Sequence, residues 1–472
     1  MLKHWFERKM TNEFKWTDEQ REALDAIQRW KKGFEEDRAY HDDDDFESEY
    51  GVGGYEQIFR LFGFAGTGKT TVIKEIARQS NGSVVFVAFT GKAASVMQKN
   101  GCVGAQTIHS LIYKPLSELA EEAKKLRTWI EDYSKLPIPE IVAEAERNAI
   151  HQWGTADPRK LQERLTALRD RIEEGPQWIL RDKLDPKPSV IICDEVSMVN
   201  EELARDLMSF GIPIIAIGDP GQLPPVKGQG FFIDAEPDAM LREVHRFALE
   251  NPITRIATTV RLDGAYKLRL GDYGESRYLR RAITDSTDML VEADQVLCGM
   301  HKTRKAVNAA IREAYGYSGD IPLPGEKVIC GRNSKLHRLL NGTLWRIKSC
   351  HPKDGYLKAV IEPWDEDGAE RKITMHPEPF AGREILPEDR FDAEEFDFGY
   401  CLTTHKAQGS QWPYVCVVND GFGTWGGGDL HNQWMYTAVT RAEKRLTIIK
   451  PDVSRNRESR REGGRLLLRD RV

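Results

Sequence analysis

Gly63-Phe64-Ala65-Gly66-Thr67-Gly68-Lys69-Thr70 is a complete G-x-x-x-x-G-K-[ST] loop, and its flanks decide what it belongs to. Ile58-Phe59-Arg60-Leu61-Phe62 leads straight into it as a buried strand, and Thr71-Val72-Ile73-Lys74-Glu75-Ile76-Ala77 follows as a helix. In a strand, glycine loop and helix of this kind, backbone N–H groups at the helix N-terminus surround phosphates. Gly63, Ala65, Gly66, Thr67, Gly68 and Thr71 supply that cradle, Lys69 reaches the β and γ phosphates, and Thr70 ligates Mg²⁺.

Working outward, three more apolar runs share the character of the first: Ser83-Val84-Val85-Phe86-Val87-Ala88-Phe89, Val190-Ile191-Ile192-Cys193 and Ile214-Ile215-Ala216-Ile217. Continuous runs of this kind suit parallel strands buried on both faces, so the fold class is α/β. Ligands of such sheets bind at the turns after the strands. Asp194-Glu195 stands at one such end. There Asp194 can hold the Mg²⁺ hydration shell, and Glu195 can position or activate the attacking water. Gln222 stands at another, in a turn closed by Pro224 and Pro225, where an amide can read the γ phosphate or that water. Val296-Leu297-Cys298, Val415-Cys416-Val417-Val418 and Leu446-Thr447-Ile448-Ile449 read as strands of a second α/β unit with no glycine loop of its own. One nucleotide shared by two domains is the economical reading.

The bulk numbers agree with a multidomain globular chain. At 472 residues it suits two or three domains, and 40% hydrophobic with 30% charged residues is ordinary. No run of about 18 apolar residues is present, so no membrane span is expected, and the first residues do not read as a secretory signal. Seven cysteines without a C-x-x-C pair argue for reduced thiols in a cytosol and against structural zinc. A net charge of −6 means that any nucleic acid must be held in a local groove rather than by global attraction.

Two insertions interrupt the plan. Residues 111–187 carry Leu116, Leu119, Ala123, Leu126, Ile130 and Tyr133, then Leu161, Leu165, Leu168 and Ile172, at helical spacing. Asp157 reads as an N-cap with Pro158 at the first helical position, and the whole as a protruding helical arm. Residues 331–398 carry short β-like pieces, Leu344-Trp345-Arg346-Ile347 and Leu357-Lys358-Ala359-Val360-Ile361, and suit a small barrel. Asp42-Asp43-Asp44-Asp45 and the Gly51-Val52-Gly53-Gly54 run read as a solvated connector.

Arg441 precedes the last strand, and Arg246 sits in Glu243-Val244-His245-Arg246; each can project a guanidinium across a cleft, with a surface ion pair as the alternative. Gln20, upstream of the loop, reads either as an adenine reader or as a solvated helix residue.

The ordered set of Gly-Asp-x-x-Gln-Leu-Pro-Pro-Val (218–226), Thr-His-Lys-Ala-Gln-Gly-Ser (404–410) and Tyr-Thr-Ala-Val-Thr-Arg-Ala (436–442) resembles superfamily-1 DNA helicases of the RecD/Dda-type branch. The resemblance implies two RecA-like P-loop domains (1–110 with 188–240, and 241–330 with 399–472), the helical arm 111–187 inside the first, and an SH3-like barrel 331–398 inside the second. It further implies ATP and Mg²⁺ as cofactors and 5′→3′ movement on single-stranded DNA and its junctions with duplex. Gln20 then looks like the adenine reader, Arg246 and Arg441 like γ-phosphate arginines, and Gly409 like part of the nucleotide site. Phe89, Thr90, Lys92, Thr107, His109, Asn341, Thr404, His405 and Lys406 resemble its DNA contacts. A monomer in a bacterial or phage-infected cytosol, with replication or repair proteins as partners, is the matching expectation.

Physical logic supports the same strand contacts, since hydroxyls, amides and single lysines grip phosphates without reading sequence. Phe89, Trp345 or Trp412 offer base stacking if exposed and core packing if not. Gln411 and His301 depart from the branch, which usually has an acidic residue and Asn there. The arm stands where the branch often has a β-hairpin wedge, and the Arg-rich end (Arg455, Arg457, Arg460, Arg461, Arg465, Arg469, Arg471) reads as a frayed tail or a DNA-adhesive one. An RNA translocase of the same superfamily and a non-hydrolysing nucleotide-gated clamp are the rival readings.

Overall fold

The computed structural model describes residues 16–40, 51–52, 55–79, 83–133, 135, 139–174, 178–224, 230–243, 251–334, 336–364, 368–385, 392–424 and 428–452. Arg246, Pro225, the run Asp42–Asp45 and the arginines from 455 to 471 lie outside the described residues. The chain folds into two compact units, Met1–Thr107 with Pro188–Val472, and Ile108–Lys187.

The first unit begins with helix α1 (Asp18–Tyr40) and strand β1 (Ile58–Gly63), which runs through the glycine loop into α2 (Lys69–Gln79). Then come β2 (Val84–Ala88), α3 (Gly91–Lys99), β3 (Gln106–Thr107), β4 (Val190–Asp194), α4 (Glu201–Met208), β5 (Ile214–Gly218) and β6 (Ala239–Leu241). These strands form an all-parallel sheet in the order β6-β1-β5-β4-β2-β3. β4 and β5 are buried almost along their whole length, as their uninterrupted Val/Ile runs require of strands covered on both faces. α1 covers the sheet through Ala23, Ile27 and Trp30, α2 through Val72, Ile73 and Ile76, and α3 through Ala93, Ala94 and Met97. Pairing every strand in one direction puts all their C-terminal ends, and therefore the glycine loop, Asp194 and Gly218, on one edge.

The chain continues with α5 (Pro252–Asp263), β7 (Gly271–Tyr273), β8 (Ser276–Arg280), β9 (Gln295–Cys298) and α6 (His301–Ala314). Five strands follow: β10 (Lys327–Cys330), β11 (Leu344–Lys353), β12 (Tyr356–Pro363), β13 (Arg371–Met375) and β14 (Phe396–Phe398). β15 (Cys401–Thr403), β16 (Trp412–Val418), α7 (Asp429–Val439) and β17 (Ala442–Lys450) complete it. A second sheet has the order β7-β8-β17-β16-β9-β15, parallel except for the β7–β8 pair. The five strands β10 to β14 form their own antiparallel sheet, ordered β13-β12-β11-β10-β14.

One expectation needs correcting, and one open alternative is decided. The antiparallel sheet starts at Lys327, not at 331. β10 is buried throughout, and its leading lysine is tolerated because Lys327 Nζ donates to the Asp294 carbonyl at 2.7 Å and to Gln295 Oε1 at 3.0 Å. Trp345 and Trp412 are core residues, each 5% exposed, so neither offers a face to a base.

The second unit holds helices Leu116–Tyr133, Pro139–Trp153 and Pro158–Glu174, closed around Leu126, Ala149 and Leu161, which are fully buried. Asp157 caps the third, its Oδ1 accepting the Arg159 N–H at 2.9 Å. The unit is not purely helical: Tyr113–Pro115 pairs antiparallel with Trp178–Leu180. Three-residue strands of mixed composition carry no usable periodicity, which is why the sequence hides them. Among the described residues no helix is long and apolar enough to cross a membrane.

Candidate nucleotide site

The glycine loop leaves β1 at Gly63 and enters α2 at Lys69, with Gly68 at φ +84°, a value open to glycine at no cost. Lys69 Nζ donates to the loop carbonyls of Gly63 at 2.6 Å and Phe64 at 3.1 Å, and lies 3.8 Å from Asp219 Oδ2. Asp194 ends β4. The next residue, Glu195, takes a left-handed φ of +55° and donates its N–H to Asp194 Oδ1 at 2.9 Å. A side chain in that region costs about 1–2 kcal/mol, a strain that concentrates at functional sites. Burial, and then the Glu195 charge, push the Asp194 carboxyl up to about 6 against the opposing Glu195 N–H and Lys69 ammonium.

The C-terminal half supplies the facing wall. α7 carries Tyr436 and Thr437, and Arg441 follows it. Arg441 is 4% exposed. Its Nε donates to the Thr437 carbonyl at 3.2 Å, Nη1 to the Ser410 carbonyl at 3.3 Å and Nη2 to Thr440 Oγ1 at 3.3 Å. Nη1 also stands 3.9 Å from Glu195 Oε1. Two further bonds join the halves: Thr437 Oγ1 accepts the Leu223 N–H at 2.9 Å, and Gln408 Nε2 donates to the Leu223 carbonyl at 3.1 Å. Gly409, at φ +76°, sits so close to α3 that a Cβ there would lie 2.7 Å from Ala93 Cβ.

Between these walls is a cavity of about 320 Å³ lined by Lys69, Thr70, Asp194, Glu195, Gln222, Gly409 and Arg441. The Gln222 Oε1 is buried and has no hydrogen-bond partner among the described residues. Buried polar atoms are rarely left so, and a phosphate-bound or attacking water at this wall would satisfy it. The hard oxygens of Thr70 and Asp194 are the donor types that Mg²⁺ takes. The residues present therefore fit a magnesium–triphosphate.

Not every expected residue lines this space. Gln20 is fully buried, its Nε2 donating to the Thr67 carbonyl at 2.9 Å and its Oε1 accepting the Thr17 N–H at 3.2 Å. Here its amide braces the glycine loop instead of facing the cavity, so the adenine-reading expectation is replaced by a loop-holding contact. Gly63, Thr67 and Thr71 form the loop and the first turn of α2 without lining the cavity. Arg246 lies outside the described residues.

The residues expected on DNA fall into three groups. Lys406 and Asn341 are exposed, and Phe89, Thr90, Lys92 and His405 are half-buried; the His405 ring meets Phe422 edge to face at 5.6 Å. Thr90 caps α3, its Oγ1 accepting the Ala93 N–H at 3.1 Å. Thr107 and Thr404 are buried, and the Thr404 hydroxyl donates to the Cys298 carbonyl at 3.3 Å, so its side chain braces the strand end and its proton is already engaged. His109 belongs to the second unit, half-buried, and burial lowers its pKa.

Sequence reasoning missed Asp219 and Tyr436, although both lie inside motifs it quoted. Asp219 Oδ2 accepts the Tyr436 hydroxyl at 2.8 Å, and that hydroxyl accepts the Ala65 N–H at 2.9 Å. It also missed Val96, Met97, Asn100 and Cys102, which wall the far side of the cavity. Hydrophobic spacing could mark them only as one face of a helix. Gln411, the departure from the branch, lines the cavity too and donates to the Thr440 carbonyl at 3.4 Å.

Two family models match this chain, one holding each group of cavity residues. An AAA domain family matches residues 52–280, which hold Lys69, Asp194, Glu195 and Gln222. The UvrD-like helicase C-terminal domain matches residues 398–449, which hold Gly409 and Arg441. The ATP-dependent RecD2 DNA helicase of Deinococcus radiodurans is 27% identical over 300 residues, covering 58% of this chain. The chain is similar to the superfamily-1 helicases, on the RecD-like side. The chain spans 38% of the length of that RecD2 relative. Its parallel sheet and the AAA-domain match give residues 52–280 an α/β nucleotide-binding fold. Solved structures it resembles include a pair of Pif1 helicases on forked double-stranded DNA (16% identity, TM-score 0.47, covering 96% of this chain and 98% of that one). Another is Pif1 of Candida albicans (16%, TM-score 0.45, covering 96% and 99%).

Proposed function

We propose that this protein is an ATP-dependent 5′→3′ single-stranded DNA translocase that unwinds duplex DNA. The observation that carries the reading is Arg441: a residue from the C-terminal half is buried in the cavity that also holds Lys69, Asp194 and Glu195 of the N-terminal half. The region of the first sheet and that of the second act as two RecA-like domains, the Lys327–Phe398 sheet as an SH3-like barrel, and residues 111–187 as an arm at the duplex.

Chemistry follows from the groups on the two walls. The loop amides and Lys69 bind the phosphates; Thr70 and Asp194 would hold a magnesium ion, whose charge would offset that of the leaving phosphates. Glu195 orients the attacking water and accepts its proton, and Gln222 hydrogen-bonds that water or the γ phosphate. Arg441, and Arg246 with it, stabilises charge on the transferred phosphoryl group. An arginine in this role contributes about 10³–10⁵ in rate, and only while the seam is closed. Opening the seam after hydrolysis withdraws that arginine and shifts the surface of Lys406, His405 and Asn341 relative to that of Thr90 and Lys92. Alternation of these two grips moves the strand. Separating a base-pair step costs about 1.4 kcal/mol, so small steps are within reach of one hydrolysis each.

The test combines two assays. Lys69→Ala and Glu195→Gln should remove DNA-stimulated ATPase while single-strand binding persists. The unaltered protein should displace a strand from a duplex with a 5′ tail and not from one with a 3′ tail. Undiminished ATPase in the variants would refute the site, and displacement only from 3′ tails would refute the direction. Stronger ATPase stimulation by RNA oligomers than by DNA would point to an RNA strand read through its 2′-hydroxyls.

A further inference from the structure

Tyr436 is, among the described residues, the group of the C-terminal half whose hydroxyl reaches the backbone of the glycine loop. Its Oη accepts the Ala65 N–H at 2.9 Å and donates to Asp219 Oδ2 at 2.8 Å. Both ends are sheltered, with Tyr436 and Asp219 each 2% exposed. The ring packs against Gly221, where a side chain would crowd it, since a Cβ there would lie only 3.0 Å from its Cε1. Nearby, the Arg261 guanidinium of α5 stacks on the Phe64 ring at 3.6 Å, adding a second contact from the C-terminal half to the same loop. Lys69 meanwhile bonds the loop's own carbonyls and lies 3.8 Å from the carboxylate that holds Tyr436.

The groups that a triphosphate should engage are thus engaged by the protein itself. A loop amide is capped by a neutral oxygen, and the lysine is folded back on the loop. Burial and the Asp219 carboxylate hold the phenol far above its ordinary range, so the hydroxyl keeps its proton and stays a donor to Asp219 at any working pH.

Resting on the reading of this cavity as a nucleotide site, we propose that Tyr436 is a latch. Its hydroxyl stands in for a phosphate oxygen at the Ala65 N–H, holds the nucleotide-free seam together through Asp219, and is displaced when a nucleoside polyphosphate enters. Tyr436 is then a positioning residue that sets how much of the intrinsic phosphate affinity is spent on freeing the Ala65 N–H. A hydrogen bond of this kind is worth about 0.5–1.5 kcal/mol net, which corresponds to roughly a 2- to 12-fold change in affinity.

The experiment uses the full chain without DNA, comparing the unaltered protein, Tyr436→Phe and Asp219→Asn. Tyr436→Phe keeps the ring against Gly221 and deletes only the hydroxyl. Two readouts are taken: amide hydrogen exchange of residues 64–68 in nucleotide-free protein, and the dissociation constant for a fluorescent ADP. The latch predicts faster loop exchange and roughly 3- to 10-fold tighter ADP binding in Tyr436→Phe, with Asp219→Asn moving both in the same direction. Equal or weaker ADP binding in Tyr436→Phe, with exchange unchanged, would overturn the latch and leave the nucleotide site standing. Failure of the unaltered protein and both variants to bind ADP would overturn the site and the latch together.

Discussion

Replacing Gly409 by alanine separates local folding from closure of the seam. Gly409 stands in Thr404-His405-Lys406-Ala407-Gln408-Gly409-Ser410 at φ +76°, where a residue with a Cβ costs about 1–2 kcal/mol. That cost is local and present whether the seam is open or shut. The second cost appears only on closure. An alanine Cβ would lie 2.7 Å from Ala93 Cβ and 3.2 Å from Thr90 Oγ1, both on the opposite wall. Carbon atoms in contact sit at about 3.5–4.0 Å, so the wall must retreat by roughly 1 Å. Ser410, the next residue, holds Arg441 Nη1 through its carbonyl, so the retreat carries the arginine with it. A misplacement of about 1 Å at reacting groups costs on the order of 10²-fold in rate, or about 2.7 kcal/mol of barrier. The expected result is a DNA-stimulated kcat down about 100-fold, an ADP dissociation constant within a few-fold of the original, and a melting temperature only a few degrees lower. ATPase assays with saturating single-stranded oligonucleotide, ADP titration and thermal melting read the three. A Gly409→Ala protein that turns over ATP within threefold of the original rate would refute closure at this contact.

Two other outcomes are expected. Arg312→Met should cost about 3–5 kcal/mol in urea unfolding, because it strands Glu326, a fully buried carboxylate that Arg312 pairs with at 2.7 Å while lying over the Phe398 ring at 3.9 Å; a loss below about 1 kcal/mol would show the pair to be dispensable. Asp194, pushed up to about 6, is half protonated at that pH in the nucleotide-free protein and ionised well above it, so magnesium–nucleotide binding should release protons near pH 6 and almost none near pH 8. Calorimetry in buffers of different ionisation enthalpy measures this, and equal release at both pH values would contradict the assignment.

What the sequence made legible, and what it hid, follows from the range of the interactions. β4 and β5 are visible because burial on both faces forces an unbroken apolar run, and the glycine loop because each of its positions has a local conformational reason. Lys69, Asp194, Glu195, Gln222 and Arg441 are named by their motifs, and they line one cavity. β3 and β6, two and three residues long, leave no pattern to read. Nor does β10, which opens on a buried lysine whose partners, Asp294 and Gln295, are more than 30 residues away. Gln20 reads from the sequence as an adenine reader or a solvated helix residue, because its bond to Thr67 spans 47 positions and is set by how α1 lies on the sheet. Tyr436 and Asp219 escaped for the same reason: each motif was readable, but the bond between them is a property of the packed seam. Trp345 and Trp412 show that an aromatic in a strand is first a core residue, and only coordinates separate the two uses.

Single-turnover hydrolysis of ATP by Arg441→Ala, with single-stranded DNA saturating, tests the shared cavity most directly. A seam completed by this guanidinium predicts a rate lower by about 10³-fold or more, with ADP affinity changed only a few-fold. A rate within tenfold of the unaltered protein's would mean that the C-terminal half contributes no catalytic charge, and the coupling of hydrolysis to closure would fall with it.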